Sequence, residues 1–377
     1  MKKKVLFVAT VVKTHIMEFH IPYLRMLQEM GWETAVAAKN DYEHPADCVI
    51  PYCDAYYDIP IARVPWSLSN LTAYRRLKQL MDREQYDVIH CHTPVGAVVA
   101  RLAALATRKK GTKVIYTAHG FHFYKGSSLL NWIFFYPVEQ ILSRVTDILI
   151  TMNQEDYALA KRKMRAGRIE YTPGVGIDTS RFRKVTVSRQ EKRQELGFGQ
   201  EDFLILTVAE MTKNKNHSTV LKALALLKDK PEYSHIRYLI CGRGKNEQNL
   251  RREVKNLGLE EHVVFLGYRH DVPELLYSAD MFAFMSYREG LSVALMEAMS
   301  SQLPVVCSRI RGNTDLITDG QEGLMADNNP QAVAQAIERL YGEPELRKTL
   351  GAAAARKVRL FDQENVHHIV RDIYRSI

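Results

Sequence analysis

Residues 289–300 read EGLSVALMEAMS. Two acids, Glu289 and Glu297, stand on either side of Ser292, and Gly290 and Leu291 follow the first of them. Ser292 precedes a run of good helix formers, Val293-Ala294-Leu295-Met296, and is expected as the N-cap or first-turn residue of a helix. The first backbone N–H groups of a helix lack an internal partner, and the helix dipole adds partial positive charge there. A phosphate suits that position. Glu289 then lies just before the helix, facing a ligand. Glu297 lies more than one turn inside, placed to accept hydrogen bonds from vicinal hydroxyls such as those of a ribose. An isolated pair of glutamates at this spacing is more often a helix with two solvated acids, so the remainder of the chain has to decide.

The flanking sequence repeats one design. Residues 203–209, 238–241, 263–267, 281–285 and 304–308 are short apolar runs of the kind that form buried parallel strands. Helical patterns separate them. The loop at 210–217 carries Lys213 and Lys215, and the run at 238–241 enters the glycine turn Gly242-Arg243-Gly244. Alternating strands and helices predict a doubly wound parallel sheet.

The first half has the same grammar. Residues 5–10 and 34–38 read as strands, with Ile21, Leu24, Leu27 and Met30 on one helical stripe between them and Gly31 ending the helix. The loop at 11–15 is expected at the carboxyl edge of the first strand, where open α/β sheets bind ligands. Strand-like runs at 86–92 and 113–120 both end in histidine, His92 and His119-Gly120. Two histidines delivered to one sheet edge single out His119 as a ligand contact. Residues 121–143 are dense in aromatics, with Lys125 and Arg144 nearby. They read either as a core helix or as an interfacial segment resting on a membrane or a lipid-linked acceptor. Further strands are expected at 146–151 and 168–172. Pro173-Gly174-Val175-Gly176 then closes a domain. The expected organisation is 1–184, then 185–357, then a helix at 358–377 that packs back on the first domain.

Composition sets the outer bounds. A chain of 377 residues with 46% apolar content fits two globular domains. The net charge is +9, and the first half is the more basic, which favours anionic partners such as phosphates or an anionic membrane face. Basic residues do not interleave with regularly spaced aromatics, so no nucleic acid is expected. Five cysteines without a C-x-x-C read as reduced thiols of a cytoplasmic protein, and no metal site is expected. The opening Met1-Lys2-Lys3-Lys4 and the short apolar run after it read as a first strand rather than a signal peptide. Residues 129–142 are interrupted by Asn131, Pro137 and Glu139 and are too short to span a bilayer.

Two Rossmann-like halves carrying EGLSVALMEAM, then Pro304-Val305-Val306-Cys307-Ser308, then Gly320-Gln321-Glu322-Gly323-Leu324, resemble the family 4 glycosyltransferases of GT-B fold. The resemblance covers nearly the whole chain and is most specific in the second half. It implies that a nucleotide-sugar, with a UDP-sugar expected, is bound mostly by the second domain across a cleft from the first. It implies that Glu297 holds the ribose and Glu289 the donor sugar. Gly290, Leu291 and Ser292 would offer backbone N–H groups, and Lys215 would neutralise the diphosphate. Gly242, Gly244 and Arg269 would border the nucleotide, with Asp271 beside Arg269, and His119 would stand near the reacting sugar. The implied transfer is retaining and metal-independent, with no resident cofactor. The stretch His119-Gly120-Phe121-His122-Phe123-Tyr124-Lys125-Gly126 is similar to bacterial exopolysaccharide and capsule enzymes, which extend a polyprenyl-diphosphate-linked glycan at the inner face of the plasma membrane. The chain departs from the family twice. Ala209-Glu210-Met211 stands where a Gly-Arg-Leu is usual, putting an acid in place of the arginine that partners the lysine; either Lys213, Arg243 or a residue of the first domain substitutes, or the diphosphate is held more weakly. Val11-Val12-Lys13-Thr14-His15 replaces the usual Gly-Gly loop. Two other functions share the fold: a nucleotide-sugar 2-epimerase, and a catalytically weak nucleotide-sugar-binding subunit of a polysaccharide assembly complex, which Glu210 would favour.

Overall fold

The structure is a computed structural model and describes residues 2–377. The chain forms two compact units. One runs to Val175 and takes back Glu364–Ile377; the other is Gly176–Gln363. The division therefore falls nine residues before the boundary read from the sequence at 184, within the Pro173–Gly176 cluster.

The first unit is built on seven strands: β1 (Lys4–Val11), β2 (Glu33–Lys39), β3 (Ala55–Asp58), β4 (Val88–His92), β5 (Lys113–Ala118), β6 (Ile148–Thr151) and β7 (Arg168–Tyr171). Their order is β3-β2-β1-β4-β5-β6-β7, with every pairing parallel. β1 pairs with β2 through Val8–Ala37 and with β4 through Val8–Cys91. Central strands covered by helices on both faces need apolar side chains on both faces, and β1 and β4 are buried along nearly their whole length. β3 was not expected from the sequence. Its Ala-Tyr-Tyr-Asp is half-buried at the sheet edge and too short to show a pattern.

One face of this sheet packs against Leu77, Leu80 and Met81 of the helix Ser69–Glu84 and Ala97, Ala100 and Ala103 of Pro94–Ala103. The other packs against Leu24 and Leu27 of Ile21–Glu29 and Val366, Val370, Ile373 and Tyr374 of Gln363–Arg375. The C-terminal helix is thus part of the first unit's core. The Tyr374 hydroxyl lies 2.7 Å from His90 Nδ1 inside that core, and His90 Nε2 lies 2.8 Å from Thr117 Oγ1. The segment expected as a loop at 11–15 is different. β1 continues to Val11, and Val12–Ile16 winds into a wide π-type helical turn whose Val12 and Ile16 are buried. Val12 and Ile16, four apart in that stretch, close the turn against the core.

The aromatic segment divides between its two readings. Phe121 and Phe123 are buried, and Trp132, Phe135 and Tyr136 of the helix Leu129–Ser143 pack onto the same core. Leu129, Leu130, Ile133, Phe134, Val138 and Ile141 of that helix face solvent.

The second unit carries β8 (Phe203–Val208), β9 (Ile236–Cys241), β10 (Val263–Gly267), β11 (Met281–Phe284), β12 (Val305–Ser308) and β13 (Leu324–Ala326) in the order β10-β9-β8-β11-β12-β13, again all parallel. The segment 320–324 turns the chain into β13, with the Gly320 N–H donating to the Gly323 carbonyl at 2.8 Å. Each sheet reverses its winding at one place, between β1 and β4 in the first unit and between β8 and β11 in the second. Such switch points leave a crevice at the carboxyl ends of the strands.

Candidate active site

At the second unit's switch point, the loop after β8 and the loop after β11 are laced together. The Tyr287 N–H donates to the Asn214 carbonyl at 2.8 Å, and the Asn214 side-chain amide donates to the Arg288 carbonyl at 3.0 Å. Lys215 and Glu289 meet across this seam. Lys215 Nζ is 2.8 Å from Glu289 Oε1, both side chains are largely covered, and the ammonium also sits 5.0 Å from the Phe284 ring centroid. Two residues assigned from sequence to phosphate and sugar are therefore an ion pair here.

Ser292 caps the helix Val293–Ser300, its hydroxyl accepting from the Leu295 N–H at 3.3 Å. The cap satisfies one first-turn donor and leaves those of Val293 and Ala294 for another acceptor. Gly290 and Leu291 lead in, and two residues absent from the sequence reading hold them. Arg311 Nε donates to the Glu289 carbonyl at 3.3 Å, and Gly312, at φ +81, packs so closely that a Cβ there would stand 2.3 Å from the Gly290 oxygen. Neither residue announces itself in the sequence, because each acts on a loop more than 20 positions away.

Glu297 lies on the helix and is partly buried. Its carboxylate makes no hydrogen bond to a side chain among the described residues. Desolvation pushes its pKa up to about 7, against the pull of the Arg181 guanidinium. A carboxylate held this way is poised to accept from neutral hydroxyls.

Gly242 and Gly244 serve the loop after β8 directly. Met211 N–H donates to the Arg243 carbonyl at 3.0 Å, and a Cβ at Gly242 or Gly244 would stand 2.1 Å from the Ala209 oxygen or 2.4 Å from the Met211 oxygen. Only glycine admits that approach. Glu210 points from this loop into solvent, as do Lys213 and Arg243, and none of the three makes an ion pair among the described residues. Arg269 is differently placed. Its Nε donates to Asp271 at 2.7 Å, its Nη2 reaches Glu195 at 3.1 Å, and Asp271 also receives Lys192. The hydrogen bonds from Arg269 and Lys192 hold the Asp271 carboxyl well below its ordinary range. The structure commits Arg269 to these acids.

At the first unit's switch point stands His119, after β5. It lies beside His92 at the end of β4, with His119 Nε2 3.5 Å from His92 Nδ1. The sheet edge therefore does bring the two histidines together. It also brings two others. His15, in the turn after β1, has its Nε2 3.2 Å from Nε2 of His20, whose ring lies 3.9 Å from that of His92. His20 and His92 are buried, and Phe7 stacks on His92. Burial is the first cause that lowers all four pKa values, with the neighbouring imidazoles adding to it for His15, His20 and His92: His119 to about 4, His15 to about 2, and His20 and His92 well below the ordinary histidine range. All four rings are neutral at pH 7. A concavity of about 340 Å³ opens beside His15, lined by Thr10, Thr14, Arg63, Thr93, His122 and Phe135 among others. His15 and His20 were missed because their relation to His92 depends on the β1–β4 pairing, not on spacing.

Two parallel-sheet units with this strand order define the GT-B class of glycosyltransferase folds. Solved structures agree. HepE of Anabaena in complex with UDP superposes with a TM-score of 0.80 at 21% identity over 100% of both chains. WaaG, a glycosyltransferase involved in lipopolysaccharide biosynthesis, does so with 0.74 at 18% identity over 98% of this chain and 99% of its own.

Residues 188–357 match the family described as glycosyl transferases group 1, and residues 4–153 match glycosyl transferase 4-like. EpsD of Bacillus subtilis (strain 168) is 41% identical over 100% of this chain and 97% of its own length. The UDP-Gal:alpha-D-GlcNAc-diphosphoundecaprenol alpha-1,3-galactosyltransferase of Escherichia coli is 25% identical over 71% of this chain and 70% of its own. The chain belongs to the group 1 glycosyltransferases.

Proposed function

We propose that this glycosyltransferase moves a sugar from a UDP-sugar, with retention of configuration, onto a polyprenyl-diphosphate-linked glycan in exopolysaccharide or capsule synthesis. The observation that carries the donor half is Glu297: a partly buried carboxylate without a side-chain hydrogen-bond partner among the described residues, inside the helix whose first N–H groups remain open. A ribose at Glu297 puts the diphosphate within reach of that helix start. HepE, of the same fold, has been solved with UDP and with UDP-glucose.

The chemistry follows from where charge develops. Breaking the bond between sugar and phosphate leaves negative charge on the diphosphate, and Lys215 and the helix start at Val293 offset it without a metal. The arriving diphosphate competes with Glu289 for the Lys215 ammonium and frees that carboxylate to accept from donor-sugar hydroxyls. A carboxylate engaged by the donor-sugar hydroxyls is a poor nucleophile, which fits front-face attack, with the leaving phosphate taking the acceptor proton. His119 lies on the acceptor side in this scheme, its ring 4.9 Å from that of His15, which lines the concavity that would receive a glycan.

The acceptor half rests on the first unit's surface. Trp66 and Leu68 are 85% and 86% exposed, and Leu71, Leu102, Leu105 and the outward face of Leu129–Ser143 continue the apolar surface on that side of the sheet. Exposed apolar area of this extent marks an interaction site, and the exposed Lys125 and Arg144 beside it suit an anionic membrane face. No helix of the described residues is long and apolar enough to cross a membrane. Peripheral attachment at the inner face of the plasma membrane accounts for both features. The E. coli relative named above acts on an undecaprenyl-linked acceptor by its name.

Calorimetric titration with UDP, GDP and ADP tests the donor. Selective UDP binding is expected, followed by turnover of a UDP-sugar when a lipid-linked acceptor is supplied. Conversion of the donor without acceptor would replace this reading with the 2-epimerase. Tight UDP binding with no turnover would replace it with the binding subunit.

A further inference from the structure

Four imidazoles crowd the first unit's switch point without an acid among them. One ring nitrogen from each of His15, His20, His92 and His119 lies within 4.8 Å of one from every other. Zinc–imidazole bonds of about 2.0–2.1 Å in a tetrahedron put the four nitrogens roughly 3.4 Å apart. Two of the contacts here are 3.2 Å, His15 to His20, and 3.5 Å, His92 to His119. We propose that these four histidines form a binding site for one divalent transition-metal cation of the zinc class.

The donor set decides the class of ion. Imidazole nitrogens suit zinc, cobalt, nickel and copper, whereas magnesium and calcium take oxygen ligands. Cys91 does not join the set; its thiol donates to the Ile115 carbonyl. The competing account is a chain of N–H···N bonds between neutral rings. The orphaned His20 Nδ1 and His92 Nε2 do not decide between the two, since they are the far nitrogens of the two buried rings. The mutual approach of one nitrogen from all four rings does, because a chain of N–H···N bonds needs only neighbours in pairs. Converging lone pairs repel one another; a cation at their centre turns that repulsion into binding.

Four protein ligands close the coordination sphere, so the site is not built to activate water. It also engages His119. The binding claim is independent of the proposed transfer reaction, but its consequence deepens that reading. A metal that takes the His119 lone pair removes this ring from the acceptor side, so occupancy opposes turnover even though the transfer itself calls on no metal.

The test uses untagged protein stripped with EDTA, then dialysed against zinc and assayed for bound metal by mass spectrometry. One zinc per chain is expected. Cobalt in its place should give the intense visible bands of a tetrahedral nitrogen site. His15→Asn and His119→Asn, at the less buried rim, should each weaken binding at least about tenfold, since even indirect supports of a metal site are worth that much. His44→Asn, on an exposed segment, should leave binding unchanged. Absence of stoichiometric zinc, a weak octahedral cobalt spectrum, or full binding by both rim variants overturns the proposal. Where turnover is assayed, zinc inhibition should share the binding midpoint; a different midpoint removes His119 from the site.

Discussion

The two sheets reverse their winding in the same way and fill the reversal with opposite chemistry. In the first unit, two strand ends and the helical segment after β1 supply four neutral imidazoles. In the second, two laced loops supply a lysine, two carboxylates and an open helix start. The first set sits on or next to central strands whose positions are set by the ladder. The second hangs on loops held by backbone contacts so close that glycine is required at 242, 244 and 312. One topology therefore delivers a cluster of uncharged bases in one unit and a charged cradle in the other. A reaction that expels a diphosphate needs the cradle to change partners, and the Lys215–Glu289 pair is suited to do so.

Removing the cradle's cation should have the largest effect. Lys215→Ala is expected to lower turnover about 10²–10³-fold, the range for loss of one stabiliser of developing charge. Affinity for the intact UDP-sugar should fall much less, because the extra charge grows only as the bond breaks. Equal losses in binding and turnover would mean Lys215 holds the ground state only. The two units would then divide binding and catalysis differently from the scheme above.

Glu297→Gln comes next. Hydrogen bonds to a charged acceptor are worth about 1.5–3 kcal/mol, so UDP affinity should fall roughly 10–100-fold. The pH dependence is the sharper readout. Free Glu297 holds its proton up to about pH 7, while ribose hydroxyls donate to the ionised form. UDP binding at pH 6.5 should therefore expel a proton from Glu297, and affinity should rise with pH through this window. UDP titrates nearby itself, so the measurement is the difference in proton release between wild type and Glu297→Gln, by calorimetry in buffers of different ionisation heat. No difference removes Glu297 from the ribose.

How much of this could be read from the chain alone depends on the distance over which each feature acts. The central strands were legible because burial on both faces leaves continuous apolar runs, as in Val5-Leu6-Phe7-Val8. The start of the helix at Ser292 was legible because capping chemistry is local. The short strands β3 and β13 were not, since four and three residues carry no period. The Lys215–Glu289 pair spans 74 positions, and the joining of His15 and His20 to His92 needs the β1–β4 pairing. Arg269 shows the reverse case. A family position suggested a nucleotide contact, while Asp271, two residues on, already occupies the guanidinium.

Acid should destabilise the first unit more than the second, where buried His217, its pKa lowered to about 4, loses stability in acid while Glu297 gains it. His15, His20, His90, His92 and His119 all have lowered pKa values in the fold, chiefly through burial. Unfolding lets each take a proton near its ordinary 6.5, so the first unit loses stability as pH falls below that value. Each proton bound only by the unfolded chain is worth about 1.4 kcal/mol per pH unit. Glu297 runs the other way. Its raised pKa means the folded state holds the extra proton between about 4.5 and 7, so its contribution to stability improves as pH falls through that window. Metal-free protein heated at pH 7.5 and pH 5.5 should show a lower Tm at pH 5.5, with hydrogen exchange faster in β4 and β5 than in β11 and β12. Uniform acceleration in both units would erase the contrast.

The smallest effect on stability is expected at the surface, where the units differ again. Exposed large apolar residues are scattered in the second unit, at Leu226, Tyr268, Tyr277, Tyr287 and Leu360, but in the first most are gathered on one side, with Val49 and Tyr52 apart from them. Ile133 and Phe134 project from the helix Leu129–Ser143, while Trp132 on its other face packs 5.5 Å from the Phe123 ring. Ile133→Asp with Phe134→Asp should change stability by no more than about 0.5 kcal/mol per site, as for other substitutions away from packed features. Trp132→Ala opens a cavity in the core and should cost several-fold more, about 3 kcal/mol or above. Co-sedimentation with vesicles of anionic phospholipid should reverse that ranking. The exposed double variant should lose most of its bound fraction, whereas Trp132→Ala, assayed below its Tm, should bind as wild type does. Vesicle binding undiminished in the double variant would detach the apolar face from the membrane and leave the first unit with an unexplained patch. Loss in the double variant with the fold intact would tie the imidazole-lined switch point to the unit that meets the lipid-linked acceptor.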